Sequence, residues 1–227
     1  MIEKLRELSE KKPKEGQDKF YGRIRNQGLN WNRKRIARVY KMMGLNKRRR
    51  GRKRLPARVK QPLITPLQPN DTWSMDFMHD TLMNGRKFRV LNIIDDFNRE
   101  ALRIEPYFSI GSNLVIQILD RLMLERGKPT AIRVDNGPEF ISSALSEWCL
   151  DRQIKLMYIQ PGKPMQNGYI ERFNRSFRED VLDANLFESI QQARELSEEF
   201  LEDYNLYRPH ESLGNLSPIT FRLNNCE

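Results

Sequence analysis

A chain of 227 residues is long enough for one sizeable domain with a small companion. Its net charge of +10 is lopsided: residues 1–60 hold 22 Lys and Arg against 5 Asp and Glu, a local balance of +17, while residues 61–227 balance at −7. Two scattered cysteines, two scattered histidines, no leader-like start and no run of 18 apolar residues exclude a disulfide framework, a zinc site and a membrane span. The expectation is a soluble cytoplasmic protein whose basic arm meets nucleic acid.

Residues 2–12 read as a short charged helix on Ile2, Leu5 and Leu8. Residues 17–28 and 32–43 read as two more. Asn32 can cap the second, Ile36, Val39, Tyr40 and Met43 form its apolar stripe, and Gly44 can end it. Gly28-Leu29-Asn30 supplies the turn between them. A hairpin that merely packs has the same pattern, but Arg33, Lys34, Arg35, Arg38 and Lys41 favour DNA contact by a helix-turn-helix-like pair.

Next comes KRRRGRKR, in which Lys47, Arg48, Arg49, Arg50, Arg52, Lys53 and Arg54 repel one another too strongly to fold alone. A solvated linker is one reading. A phosphate-binding arm ordered on DNA is the favoured one, because clustered cations bind any duplex through counterion release. Pro56, Pro62, Pro66 and Pro69 then mark an extended linker. The expected organisation is a basic helical DNA-binding region at 1–54, a linker at 55–70 and a second domain from 71 to 222.

Beyond residue 70 the periodicity changes. Residues 72–79, 87–95 and 100–107 read as strands, with Asn84-Gly85 turning the first hairpin. Ser112 opens a helix on Leu114, Val115, Ile118, Leu119 and Leu122, which Gly127 closes. Strand 130–135, a helix over 139–152 started by Pro138, strand 155–159, a helix on Ile170, Phe173 and Phe177, and a long helix over 188–207 complete the order. Three hairpin-like strands followed by alternating helices and strands suit an α/β fold with an RNase H-like mixed five-stranded sheet, preceded by the small all-α basic region. Cys149, on an apolar helix face, reads as core.

Three carboxylates invite a chemical explanation. Asp135 ends an apolar run before an Asn-Gly turn, and Glu171 follows after 35 intervening residues on the polar face of its helix. Asp76 interrupts a strand whose Trp73, Met75 and Phe77 share the other face. Taken singly, Asp-Asn-Gly is a common turn and a helical Glu a solvated one. Together, a mid-strand, a strand-tip and a helical carboxylate can converge on a divalent cation, and an oxygen-only donor set suits Mg²⁺ or Mn²⁺. Asp95 and Asp96, which close the second strand, are rivals to Asp76. Lys163, Arg172, Arg175 and Arg178 are candidates for gripping phosphate, and Asn167 stands one turn before Glu171 on the same side. The segment QPGKPMQNG reads equally as a DNA-ordered loop or a passive connector. In the tail YRPHESLGNLSP, His210 reads as structural rather than catalytic.

The stretches WSMDF, VDNGPEF, QPGKPMQNGYIERFNRSFRED and YRPHESLGNLSP stand in the order found in the second reading-frame products of bacterial insertion sequences. The chain resembles these DDE transposases, relatives of retroviral integrases, over roughly residues 20 to 222, and lacks the zinc-binding N-terminal domain of the retroviral proteins. The resemblance implies the RNase H-like fold and a catalytic core with a C-terminal helical extension at 71–222. It also implies a ligand in WSMDF, so that Asp76, Asp135 and Glu171 hold the metal, with two ions expected. The implied activity is metal-dependent cleavage and strand transfer at insertion-sequence ends. The implied partners are end and target DNA, further copies of the chain on that DNA, and the first reading-frame product of the same element, in the bacterial cytoplasm at the nucleoid. A non-catalytic repressor derived from a transposase and an RNase H-like nuclease are the alternatives.

Overall fold

The computed structural model describes residues 1–46, 66–160 and 164–225. Three helices come first: α1 (Ile2–Lys11), α2 (Gln17–Asn26) and α3 (Arg33–Met42). The Asn32 side chain accepts from Lys34 N at the start of α3, and Gly28 and Gly44 take the positive φ that each turn demands. Leu5, Leu8, Phe20, Ile24, Ile36 and Tyr40 give these helices a core of their own. The arm at 47–54 and most of the expected linker lie outside the described residues.

The main sheet holds β1 (Thr72–Thr81), β2 (Lys87–Asp95), β3 (Ala101–Tyr107), β4 (Ala131–Val134) and β5 (Lys155–Tyr158) in the order β3-β2-β1-β4-β5. β1, β2 and β3 pair antiparallel, and β4 and β5 join parallel to β1. This is the mixed five-stranded sheet expected.

Alternation along β1 sends side chains to two separate cores. Trp73 and Met75, with Phe77 packed against them, face α4 (Ser112–Arg126) and α5 (Ser143–Asp151). Met78 faces α6 (Gly168–Phe177) and α7 (Ile190–Leu206), which contribute Ile170, Phe173, Phe177, Phe200 and Tyr204. Burying one such side chain contributes about 1.5–3 kcal/mol, so the two cores hold the sheet between helical layers. Buried Cys149 packs in the first core, and burial pushes its thiol up to about 11. The last element among the described residues is α8 (Pro218–Asn225).

The helix expected over 139–152 is shorter. Residues 137–141 turn on bonds from Phe140 N and Ile141 N to Gly137 O, and α5 starts only at Ser143, where the Ser142 hydroxyl accepts from Leu145 N. Pro138 therefore sits in the turn and not at a helix start; the Ser142 cap satisfies the first free N–H groups later in the chain.

The N-terminal helices are fastened to the sheet domain through α6, α7 and the segment after α7. Arg23, 1% exposed, donates to both oxygens of Glu15 and to Asp203 on α7. Arg208 joins Glu15 to Asp180 and to the Ser176 hydroxyl on α6. A Cβ at Gly22 would lie 2.5 Å from the Pro209 Cβ, so α2 meets the tail at the distance only glycine permits. No helix among the described residues is long and apolar enough to cross a membrane.

Candidate active site

Asp76 sits in the middle of β1, opposite Asn92 on β2. Both its carboxylate oxygens are engaged: Oδ1 accepts from Phe77 N at 2.8 Å, and Oδ2 accepts from Asn174 Nδ2 at 2.7 Å. Burial pushes this carboxyl up to about 6, and the charges of Asp135 and Glu171 push the same way against the two hydrogen bonds. The three sequence-selected carboxylates are thus near enough to repel across one patch. Asp135 lies just past β4, where its Oδ1 accepts from Gly137 N at 3.0 Å. A Cβ at position 137 would come within 3.0 Å of that oxygen, so glycine keeps the carboxylate accessible. Glu171 is exposed in the first turn of α6.

The donor set is oxygen-only and mutually repulsive, which fits a hard divalent cation. It is not a closed cage: among the described residues, no three of His, Cys, Asp and Glu stand close enough to surround an ion.

Asp95 and Asp96 are not part of this patch. The antiparallel register puts Asp95 opposite Trp73, toward the start of β1. Its oxygens accept from Asn70 N and Phe97 N, and Asp96 pairs with Arg133. Both carboxyls are raised by burial, that of Asp95 to about 6; Asp95 organises the loops beside it, and Asp96 is tied to Arg133 of β4.

The cation candidates separate. Arg172 and Arg175 are exposed on α6, and Arg175 makes no ion pair with Glu171 one turn away. Arg178 begins a π-helical turn (Arg178–Leu182) that swings it toward β1, where it donates to His79 O at 2.9 Å and stands 3.9 Å from Asp80 and 3.8 Å from Asp183. Asn167 departs from the expected outward face: its side chain is 3% exposed. Residues Pro164–Asn167 wind as a 3-10 turn, whose three residues per turn displace Asn167 from the α-helical line through Glu171. On α3, Lys34, Arg35 and Arg38 are exposed, and Arg33 pairs with Asp18 at 2.7 Å. Lys163 and the cluster Lys47, Arg48, Arg49, Arg50, Arg52, Lys53 and Arg54 lie outside the described residues. His210 is largely enclosed, and burial holds its pKa well below the usual value, so it stays neutral against Tyr204.

Sequence reasoning missed Asn174. It lies on the inward face of α6 beside Ile170, Phe173 and Phe177, accepts from Asn92 Nδ2 at 2.7 Å, and passes its own N–H to Asp76. A lone polar residue on an apolar stripe must find a buried partner, and that was the available signal. Glu139, in VDNGPEF, was also passed over; it pairs with Arg89 of β2.

Two models of the integrase core domain match the chain, over residues 66–164 and 152–218. The Insertion element IS407 uncharacterized 31.7 kDa protein of Burkholderia multivorans is 38% identical over 96% of this chain and 79% of its own length. The IS476 uncharacterized 39.2 kDa protein of Xanthomonas euvesicatoria is 38% identical over 97% of this chain, which spans 64% of that protein. Among solved structures, a chain of the simian T-cell lymphotropic virus intasome superposes with a TM-score of 0.60 at 17% identity, covering 98% of this chain and 74% of that one. The HTLV-2 integrase catalytic core domain in complex with magnesium superposes at 0.52 and 21% identity, covering 69% of this chain and 98% of that one. These likenesses establish an RNase H-like integrase fold. With the motifs in order along one continuous match, the chain belongs to the integrase-core transposases of bacterial insertion sequences.

Proposed function

We propose that the chain cuts insertion-sequence ends and joins them to target DNA by metal-dependent phosphoryl transfer, with Asp76, Asp135 and Glu171 as ligands of Mg²⁺ or Mn²⁺. The observation that carries this reading is the placement of Asp76 in the middle of β1, where Phe77 N and Asn174 of α6 hold its carboxylate, with Glu171 on that same helix and Asp135 at the end of the neighbouring strand β4. Burial and the like charges beside it disfavour the ionised form of the Asp76 carboxyl, and a bound divalent cation would reverse that preference. Bound divalent ions, two in our reading, would supply activation of water or a 3′-hydroxyl and neutralise the departing oxygen.

The protein's part is orientation. Two donors fix the Asp76 carboxylate, so that it meets a ligand without a search through rotamers. Gly137 leaves the Asp135 oxygen open to one side. Arg172 and Arg175 are exposed on the helix of Glu171, where a duplex backbone near the carboxylates would otherwise meet only negative charge. The exposed cations of α3 and the cluster at 47–54 provide a second, sequence-independent hold on DNA. Such work takes place on DNA in the bacterial cytoplasm, at the nucleoid, by several copies of the chain, with the element's first reading-frame product as a partner.

The test is a strand-transfer assay with end-bearing DNA and either cation. Asp76→Asn, Asp135→Asn and Glu171→Gln should each abolish cleavage and joining while DNA binding stays close to wild type; melting should be unchanged in the last two and a few degrees lower in Asp76→Asn, whose single amide oxygen can accept only one of the two bonds. Near-normal cleavage by any one of them removes that residue from the site. Cleavage without joining would favour a nuclease, and binding with neither would favour a repressor.

A further inference from the structure

A fourth carboxylate stands near one of the candidate metal ligands, Asp135. Glu139 leaves the turn that follows Asp135, and its side chain folds back over Gly137. A Cβ built on that glycine would lie 3.0 Å from Asp135 Oδ1 and 3.6 Å from Glu139 Oε2, so the two carboxylates flank one backbone position. A hard cation recruits such an oxygen readily, and ligand charge count sets how tightly the ion is held.

Arg89 restrains it. The Arg89 guanidinium donates to Glu139 Oε1 and lies 4.2 Å over the Phe77 ring, which in turn stacks on Phe140 at 4.8 Å. Both members of the pair are largely covered, with side chains 23% and 17% exposed, so the bond is shielded from solvent more than a surface bridge is. Arg89 Nε is buried without a partner, which commits the guanidinium to this one carboxylate and the aromatic face below it. The anchor is held on both sides: Arg89 lies near the start of β2, paired with His79 on β1 and Tyr107 on β3. The turn it holds is fixed from the other side by Tyr158 Oη, which donates to Phe140 O at 2.9 Å, and by Asn136 Nδ2, which donates to Ile159 O at 3.1 Å.

We propose that Arg89 is a positioning residue that keeps Glu139 out of the metal's coordination sphere, leaving the ion to Asp76, Asp135 and Glu171. The idea rests on the reading of Asp135 as a metal ligand. An ion held by four carboxylates is over-neutralised, and it has fewer open positions for water and phosphate oxygens. Removing the arginine should therefore strengthen metal binding while weakening catalysis, the opposite of what a lost structural bridge produces.

The experiment is a titration of the full chain with Mn²⁺ alone, followed by calorimetry and by the paramagnetic resonance of the ion. Arg89→Gln should bind Mn²⁺ about fivefold more tightly than wild type, because one more carboxylate joins the ion. Adding Glu139→Gln to that variant should restore an affinity within about twofold of wild type by removing the freed charge. Arg89→Met, which keeps the packing on Phe77 and loses the charge, carries the same expectation and serves if the glutamine variant does not fold. Unchanged or weaker binding in the folded arginine variants, or tighter binding that the second substitution does not reverse, overturns the proposal. Asp135→Asn separates the two ideas. If it binds Mn²⁺ as wild type does, the underlying ligand assignment falls. If it loses the ion while the arginine variants match wild type, the assignment stands and the role of Arg89 falls.

Discussion

Asn174→Ala probes the connection between the helix of Glu171 and the strand of Asp76. The side chain is 8% exposed and makes two bonds, one donated to a carboxylate and one accepted from Asn92, each 2.7 Å long. A hydrogen bond to a charged group contributes about 1.5–3 kcal/mol and a neutral one about 1. Losing both, and leaving Asn92 Nδ2 with only the Met78 sulfur at 3.2 Å, should lower stability by roughly 3 kcal/mol. For a chain of this size that is a fall in melting temperature of about 6–12 °C.

The second effect is electrostatic. The Asn174 N–H favours the ionised form of Asp76, so its removal lifts a carboxyl already at about 6 still higher. If Asp76 binds the cation as proposed, it must first lose its proton, and the acid limb of strand transfer should then move to higher pH. At neutral pH activity should fall roughly 10- to 100-fold, as expected when a reacting group is no longer held in place. Asn174→Asp keeps the shape and the bond from Asn92 but sets a like charge against Asp76, so it should shift the limb further than alanine does. Thermal melting and a pH profile of strand transfer decide the matter. An Asn174→Ala protein that melts within about 1 °C of wild type, with an unmoved acid limb, would refute the reasoning.

Two further substitutions separate chemistry from packing. Arg175 stands about 6 Å further along the helix than Glu171 and forms no pair with it. Arg175→Ala should cost at least about tenfold in strand transfer, equivalent to about 1.4 kcal/mol, with melting unchanged; full activity would remove the DNA role. Asp95 tests the sign of burial. Its carboxyl is raised from 3.8 to about 6, so the folded state binds its proton more tightly than the unfolded chain does. That contribution is full below pH 3.8 and is lost as pH rises through about 6, a change of order 3 kcal/mol at most. Denaturant titrations from pH 4 to 7 should show a decline in stability with rising pH that Asp95→Asn flattens. An unchanged slope would mean that Asp95 is already ionised in the fold.

Where pattern alone decides burial, the sequence was sufficient. Ile170, Phe173 and Phe177 recur at helical spacing, and all three are buried; Trp73, Met75 and Phe77 alternate with Asp76, and they face the opposite core. Pattern fails where two residues of one type differ only in who stands beside them. Asp76 is half-buried and Asp95 buried, and both carboxyls are raised to about 6, yet the charges of Asp135 and Glu171 bear on the first while the second accepts from the loop amides of Asn70 and Phe97. That distinction is set by the antiparallel register, which no local signal states. Asn167 and Pro138 fail for a local reason: a 3-10 turn in one case and a later cap in the other override the simplest helical reading.

Charge is the least legible property of all. A balance of +17 over residues 1–60 suggests that every cation there is available to phosphate. Arg23 is not: it is sealed between Glu15 and an Asp203 that lies 180 positions away. Lys12 also pairs with Asp203, and Lys14 donates to Glu179 O. Burial and the neighbouring Arg208 pull Lys19 down to about 8, so part of its charge is lost near neutral pH. The residues that face α7 and the tail use their cations to attach the helices, whereas Lys34, Arg35 and Arg38 leave theirs in solvent. Among the described residues of this region the solvent-exposed charge is therefore smaller than composition implies, and α3 carries its largest cluster. Neutralising those three should flatten the salt dependence of duplex binding, whereas Arg23→Gln should act first on stability.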